Sequence, residues 1–415
     1  MRTRPAALLR LIPGLTVFVL TTAVIGACSG GDSALTATPV PETPLPTATS
    51  VPTPLPTPTP DPRANRPEAD PFPPDLAQRY QTTLEGVAAL RGTPIEQPVD
   101  MFLMTREQAR AFYSDGPAPE PSLPAGPPPL DPKNELYRLL GLVPDEPDTN
   151  VGQQSIDNLI SQITGFYAAE YKALYMLAEI IGGVTGGTAQ ATVAHELVHA
   201  LQDQHYDLNL IATQRAEDWD AFRVLQQIME GDAIYFENAY MGYSVRATYR
   251  SPACFTIPAP ARPSVPFVIE RELDTWYEDG LCFVQQVLPQ LPNGIADVWE
   301  NLPTTTEQIL HPEKYLAGED AVPVDRRDLT STLGAGWSEL ESSTFGEFSV
   351  QNLLLAGVSD HSLVQDAAAG WGGDAWELYT AGDARLAEAT IAWDDAAEAL
   401  EFWDVFQHSL ANRPG

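Results

Sequence analysis

Apolar and polar positions divide the chain into a charge-free apolar segment, a long stretch without any apolar face, and a folded remainder. The apolar segment runs from Leu11 to Ala27 behind Arg2, Arg4 and Arg10, the order of a cleaved secretory signal. From Ser29 to Pro74 the composition collapses to Pro, Thr, Ala and Ser around "PTPLPTPTPDP". Such a segment cannot bury a core and favours extended polyproline II, so it reads as a tether. Order is expected from about Asp75. "VDMFLMT" has strand-like content, and Thr105 and Gln108 stand at capping-box spacing, which predicts a strand passing into a helix. The proline-rich "GPAPEPSLPAGPPP" then reads as a surface loop before a short helix at "ELYRLLGL".

"ITGFYAAEYKALYML" predicts two short strands around a turn near Ala169 and Glu170. After "GGVTGG" comes "VAHELVHALQDQH", where Val193, Leu197 and Leu201 repeat every fourth residue and mark the buried face of a helix. Phe222, Leu225, Ile228 and Met229 have helical spacing within "DWDAFRVLQQIMEGDAIYFENAYM". Further helices are predicted at "TWYEDGLCFVQQVL", "GEFSVQNLLLAG" and "DDAAEALEFWDVFQHSL", with a strand at "RLAEATIAW". No internal repeat is visible. The pattern as a whole predicts an α+β fold with helix dominant, in four regions: a signal over 1–27, a tether over 28–74, a region over 75–250 that holds the histidine cluster, and a helical region over 251–415 packed on it.

Charge and cysteines narrow the function. The formal net charge is −33, and loss of residues 1–27 removes three arginines and no acid, leaving −36. Such a surface repels nucleic acid and anionic headgroups, so DNA or RNA binding is not expected. Ile25, Ala27 and Cys28 end the apolar run in a pattern that resembles the bacterial lipobox, with Gly26 a less usual filler; the expectation is a lipid on Cys28 that holds the protein to a membrane outside the cytoplasm. A plain signal peptide or an apolar anchor is the alternative. In that compartment Cys254 and Cys282 are expected to pair, a bridge worth about 3.5 kcal/mol for a loop of this size.

The chain has six histidines, and three of them fall between Val193 and His205. His195-Glu196-Leu197-Val198-His199 is an HExxH sequence. Residues four apart on a helix differ by about 40° around its axis, so both imidazoles project from one face and can share one Zn²⁺. Glu196 stands beside them as a base for a water that the metal acidifies to a pKa of about 7. A catalytic zinc takes three protein ligands. Two residues compete for the third place, Glu230 on the next predicted helix and His205. His205 has the spacing of HExxHxxGxxH, and "YMGY" faintly resembles the methionine turn of the metzincins, but Gln202 stands at the glycine position. An unbroken helix would carry His205 about 15 Å along the axis from His195, too far for one ion. Glu230 is therefore expected as the ligand and His205 as a supporting or structural residue.

"AHELVHALQDQHYDL" followed by "EGDA" resembles the gluzincin branch of HExxH zinc metallopeptidases, and in particular a little-characterised group of bacterial and archaeal secreted or lipoprotein zincins. The likeness extends to "GFY", "KALYML", "TTEQILHPEKYL" and "GWGGDAWELY", and covers most of the chain from about residue 95 onward. It implies a zincin-like core with a small sheet and an active-site helix, His195, His199 and Glu230 as zinc ligands, and Glu196 as general base and acid. Many gluzincins steady a histidine from the position four residues after the third ligand, which here is Ile234, so Asp203 or Asp232 is expected to do so. "KALYML" reads either as an edge strand that grips the substrate backbone or as a plain core strand. Tyr235, Tyr240, His311 and Tyr315 are candidates to stabilise an oxyanion, whereas "HPEKY" and "GWGGD" read first as structural corners. The expected function is a membrane-anchored extracytoplasmic zinc peptidase acting on a peptide or protein substrate. Zinc hydrolysis of another amide, for example in cell-wall peptides, is a second enzyme reading, and a surface binding lipoprotein with a structural or inactive zinc site is the alternative from another class. The oligomeric state is not legible.

Overall fold

The computed structural model describes residues 16–24, 66–115, 130–146, 149–183, 187–243, 254–262 and 264–413. Cys28, the tether as far as residue 65 and the whole of the loop at "GPAPEPSLPAGPPP" lie outside these residues. The described chain has an α+β fold in which helices predominate. Its first part holds strands β1 (Thr16–Val24), β2 (Asp70–Pro71), β3 (Asp100–Met104), β4 (Gly165–Ala168) and β5 (Ala173–Leu177). Between and after them run helices α1 (Pro74–Arg91), α2 (Arg106–Asp115), α3 (Pro132–Leu139), α4 (Val151–Gln162), α5 (Ala178–Gly183), α6 (Gly187–Tyr206), α7 (Leu208–Arg215), α8 (Trp219–Met241) and α9 (Phe267–Val287). The later part has α10 (Ile295–Glu300), α11 (Thr306–Leu310), α12 (Pro312–Ala317), α13 (Thr330–Leu333), β6 (Ser338–Ser343), α14 (Gly346–Leu355), α15 (His361–Ala368), β7 (Trp371–Ala381), β8 (Ala384–Trp393) and α16 (Ala396–Asn412). Among the described residues no helix is long and apolar enough to cross a membrane.

Local chemistry sets the ends of these elements. Thr105 Oγ1 accepts the N–H of Gln108 while Gln108 Oε1 accepts that of Thr105, the capping box expected for α2. Asp218 receives the N–H groups of Asp220 and Ala221 at the start of α8, and Gly242, at φ 70°, ends it in the left-handed conformation. α6 continues through Gln202 to Tyr206, so the turn that a glycine would break stays helical and His205 remains on the same rod.

Two four-stranded sheets form, in the orders β2-β3-β5-β4 and β1-β8-β7-β6. In the first, β5 lies between β3 and β4, so "KALYML" is an interior strand and the edge is β4. Of the two readings, this is the core strand. All five residues of β5 are buried, which is what neighbours on both sides produce. In the second sheet "GWGGDAWELY" enters β7 rather than a corner, with a bulge between Trp371 and Gly373. Asp374 there accepts the N–H groups of Phe345 and Gly346, so the segment also fixes the turn that starts α14. Glu377 and Glu388 face each other across β7 and β8 while both are buried, and burial together with the neighbouring carboxylate pushes Glu377 up to about 8.

The larger core collects Val193, Leu197 and Leu201 of α6 with Leu225 and Ile228 of α8 and Phe283 of α9. Helices α8 and α9 touch backbone to backbone: a Cβ on Gly231 would lie 2.2 Å from the carbonyl of Gly280, and one on Gly280 would lie 2.0 Å from the carbonyl oxygen of Gln227. The second core, built on Trp371, Trp376, Trp393 and Phe402, belongs to the C-terminal region. That region is bolted to the start of α8. Asp220 accepts the hydroxyl and the N–H of Thr306, both at 2.8 Å, Thr306 Oγ1 accepts the N–H of Phe348, and the Phe348 ring lies between the guanidinium groups of Arg223 and Arg271. Cys254 is bonded to Cys282 on α9, as expected.

Gly280→Ala is predicted to force α9 away from α8 and to cost about 1–3 kcal/mol of stability, the usual penalty of overpacking a filled interface. Urea unfolding monitors it, and an unchanged midpoint would contradict the contact.

Candidate metal centre

The HExxH turn of α6 and the middle of α8 meet at three side chains. Nε2 of His195 lies 3.2 Å from Nε2 of His199, and Oε2 of Glu230 lies 3.0 Å from the first and 3.6 Å from the second. The side chains are 12 %, 8 % and 14 % exposed, so the triangle is enclosed yet reachable. Its composition, two imidazoles and a carboxylate, is a donor set that can hold a metal ion. The expected ligand trio is thus brought together, whereas His205 is elsewhere. His205 Nε2 bonds the carbonyl oxygen of Pro94 at 2.7 Å and Nδ1 faces Glu96, which makes it a latch between α6 and the segment after α1.

The opposite nitrogen of each imidazole is also held. His195 Nδ1–H donates to Glu237 Oε2 at 3.2 Å, and His199 Nδ1–H donates to Gln202 Oε1 at 2.9 Å. Each bond leaves the Nε2 lone pair turned into the triangle. Neither expected carboxylate makes these contacts. Asp203 instead accepts the Tyr167 hydroxyl and the Lys172 ammonium, each at 2.7 Å, and Asp232 touches no imidazole. Glu237 lies two helical turns beyond Glu230 on the same face of α8, a spacing that a search confined to the position of Ile234 passes over.

Electrostatics favour a cation here. Burial opposes charge on His195, but hydrogen bonds to Glu230 and Glu237 and their negative charge hold it well above the usual imidazole value. His199 is raised in the same way, burial being outweighed by Glu230. Burial would raise Glu230, yet the two imidazoles bring it down to about 2. A positive charge shared by these groups is therefore stable, and a divalent ion meets the same field in place of protons.

Glu196 is 6 % exposed, and burial, set against the attraction of both imidazoles, raises its pKa; its carboxylate accepts the backbone N–H of Tyr167 on β4. Of the candidates for oxyanion stabilisation, three are engaged elsewhere: Tyr240 bonds Thr83, Tyr315 bonds the carbonyl of Asn301, and His311 pairs with Glu347. Tyr235 packs on its neighbour Phe236. Two aromatics at the centre escaped the sequence analysis. Tyr277 on α9 has its ring 6.3 Å from that of His195. Tyr113 on α2 rests its ring 5.3 Å from Phe166, and burial followed by the charges of Glu196, Glu170 and Glu230 holds its phenol protonated far into the alkaline range. α2 was legible only as a capped helix, so nothing in its sequence aimed a phenol at residues some eighty positions later.

Glu307, Glu319 and Asp394 form a second group with metal-like spacing. The ammonium of Lys314 bonds all three, so this cluster already has its cation and serves as a lock between α11, α12 and the end of β8.

Residues 331–415 match a family described as a domain of unknown function (DUF8575). No curated protein and no solved structure matches the chain.

Because both imidazoles must shed protons before they bind a metal, and both hold them above the usual range, affinity for a divalent ion is predicted to be greatest at alkaline pH and to fall as pH drops through the raised imidazole values. Chelator competition between pH 6 and pH 9 reads this, and a flat profile would contradict it. Metal content of Glu230→Ala and His205→Ala separates the two contenders for the third place: the first variant is predicted to lose its ion and the second to keep it.

Proposed function

We propose that this protein is a zinc-dependent peptidase, held outside the cytoplasm by a lipid on Cys28, with His195, His199 and Glu230 as ligands and Glu196 as general base and then general acid. The observation that carries the reading is the triangle of 3.0, 3.2 and 3.6 Å between the three donor atoms. Ligands bound at about 2.0–2.1 Å in tetrahedral array are separated by about 3.3 Å, and such a set leaves one corner open. A bound zinc ion would supply Lewis acidity to a water and to a carbonyl at that corner.

The remaining chemistry falls to the chain. Glu196, kept dry and with its pKa raised by burial, is suited to accept a proton and return it to the leaving nitrogen. Its hydrogen bond to the N–H of Tyr167 holds the carboxylate between α6 and β4. β4 is the edge of its sheet among the described residues, which supports the pairing of an extended substrate backbone along it. Tyr113, whose phenol stays protonated in the field of Glu196 and Glu230, is a candidate donor to a developing oxyanion. Glu196 favours hydrolysis over a purely structural site, which has no use for a buried carboxylate beside its metal.

Purified mature protein with its zinc content measured is tested on a random peptide library. The wild type is expected to cleave peptides. Glu196→Gln is expected to keep the metal and to lose about 10²–10⁴-fold in kcat, the usual contribution of general acid–base catalysis, and Tyr113→Phe to lose about 10²-fold, as when one oxyanion donor is removed. Zinc bound with no cleavage by the wild type would favour a surface binding lipoprotein instead.

A further inference from the structure

Gln202 fills the position where the metzincin pattern has glycine, and its side chain is fully buried against the metal centre. We infer that Asp232 is a positioning residue that fixes the tautomer of His199 by locking the orientation of the Gln202 amide. The inference rests on the zinc reading above.

The argument is one of donors and acceptors. Gln202 Nε2 donates to Oδ2 of Asp232 at 2.9 Å and to the carbonyl oxygen of Met229 at 3.0 Å. Both partners accept only, so both amide hydrogens are used, and a flipped amide would set its oxygen against a carboxylate and a carbonyl. Oε1 must then face His199, where Nδ1 lies 2.9 Å away. An amide oxygen cannot donate, so His199 carries its proton on Nδ1. Once Nε2 gives up its own proton, the lone pair left there faces Glu230 and His195.

Asp232 can impose this because it is itself immobile. It is fully buried, and Arg91 grips it with Nε at 3.1 Å from Oδ1 and a terminal nitrogen at 2.8 Å from Oδ2, while the Trp299 indole N–H donates to Oδ2 at 2.8 Å. The pair Arg91–Asp232 is neutral as a unit, so its orienting effect reaches His199 without adding net charge at the metal. His195 is served differently, by direct contact with Glu237. The lock also joins the helices at the level of the ligands, since His199 and Gln202 lie on α6 and Glu230 and Asp232 on α8.

Asp232→Asn tests the assignment, because an asparagine nitrogen turned toward Gln202 removes one acceptor of Nε2 and sets a donor against it, leaving the Met229 carbonyl as the sole restraint on the amide. Zinc dissociation constants from chelator competition are compared for wild type, Asp232→Asn, Gln202→Met and Trp299→Phe. The last variant removes one hydrogen bond from the same carboxylate without freeing the amide, so it reports a merely structural role. Asp232→Asn and Gln202→Met are expected to weaken zinc about 10–100-fold, the usual effect of losing a partner behind a metal ligand, with Trp299→Phe near wild type. The cobalt-substituted proteins give a second readout. Wild type should show two slowly exchanging, paramagnetically shifted imidazole N–H signals, and the first two variants should lose the one from His199. Gln202→Met keeps the test open should Asp232→Asn fail to fold. Wild-type affinity and both signals retained in either variant would overturn the inference, as would equal losses in Trp299→Phe. A wild type that binds no zinc would instead remove the reading beneath it.

Discussion

Two imidazole nitrogens and a carboxylate oxygen are held within 3.6 Å of one another by two helices, and this constraint accounts for much of the architecture. Neither helix can satisfy it alone. α6 supplies two imidazoles one turn apart, but the carboxylate must come from α8 at a depth and rotation fixed to a fraction of an ångström. The bare backbone contact at Gly231 and Gly280 brings α9 against α8 at the residue next to Glu230. Thr306, Phe348, Arg223 and Arg271 pin the beginning of the same helix to the C-terminal region. The region matching a domain of unknown function is thus in contact with the helix that carries Glu230, and its packing is part of what positions that carboxylate.

Much of this was legible because the relevant signals are local. Four-residue spacing of Val193, Leu197 and Leu201 marked α6 and its buried face, and all three are fully buried. Helix geometry set Glu230 ahead of His205, and the helix runs unbroken past Gln202 to Tyr206. The capping box at Thr105, the paired strands β4 and β5 and the Cys254–Cys282 bridge were equally readable.

The rest depended on who neighbours whom, which no window of residues contains. β3 joins β5 from seventy positions away and makes it an interior strand. "GWGGD" carries turn-forming glycines, yet sheet pairing with β8 overrides them, leaving a bulge as their trace. α1 lacks a strong amphipathic signal although Leu84 and Val87 are completely buried in the main core. Glu237 and Gln202 reach the imidazoles through side-chain geometry that no local pattern encodes. Asp232 proved relevant one link further from the imidazole than expected.

The claim on which the account rests is the position of one ion. Crystals grown with zinc and measured on both sides of the zinc absorption edge locate it directly by anomalous difference. The account predicts a strong peak within bonding distance of Nε2 of His195, Nε2 of His199 and the Glu230 carboxylate, with a vacant coordination corner beside Glu196. A protein peak confined to the Glu307, Glu319 and Asp394 cluster, or no peak between α6 and α8 at saturating zinc, would contradict it.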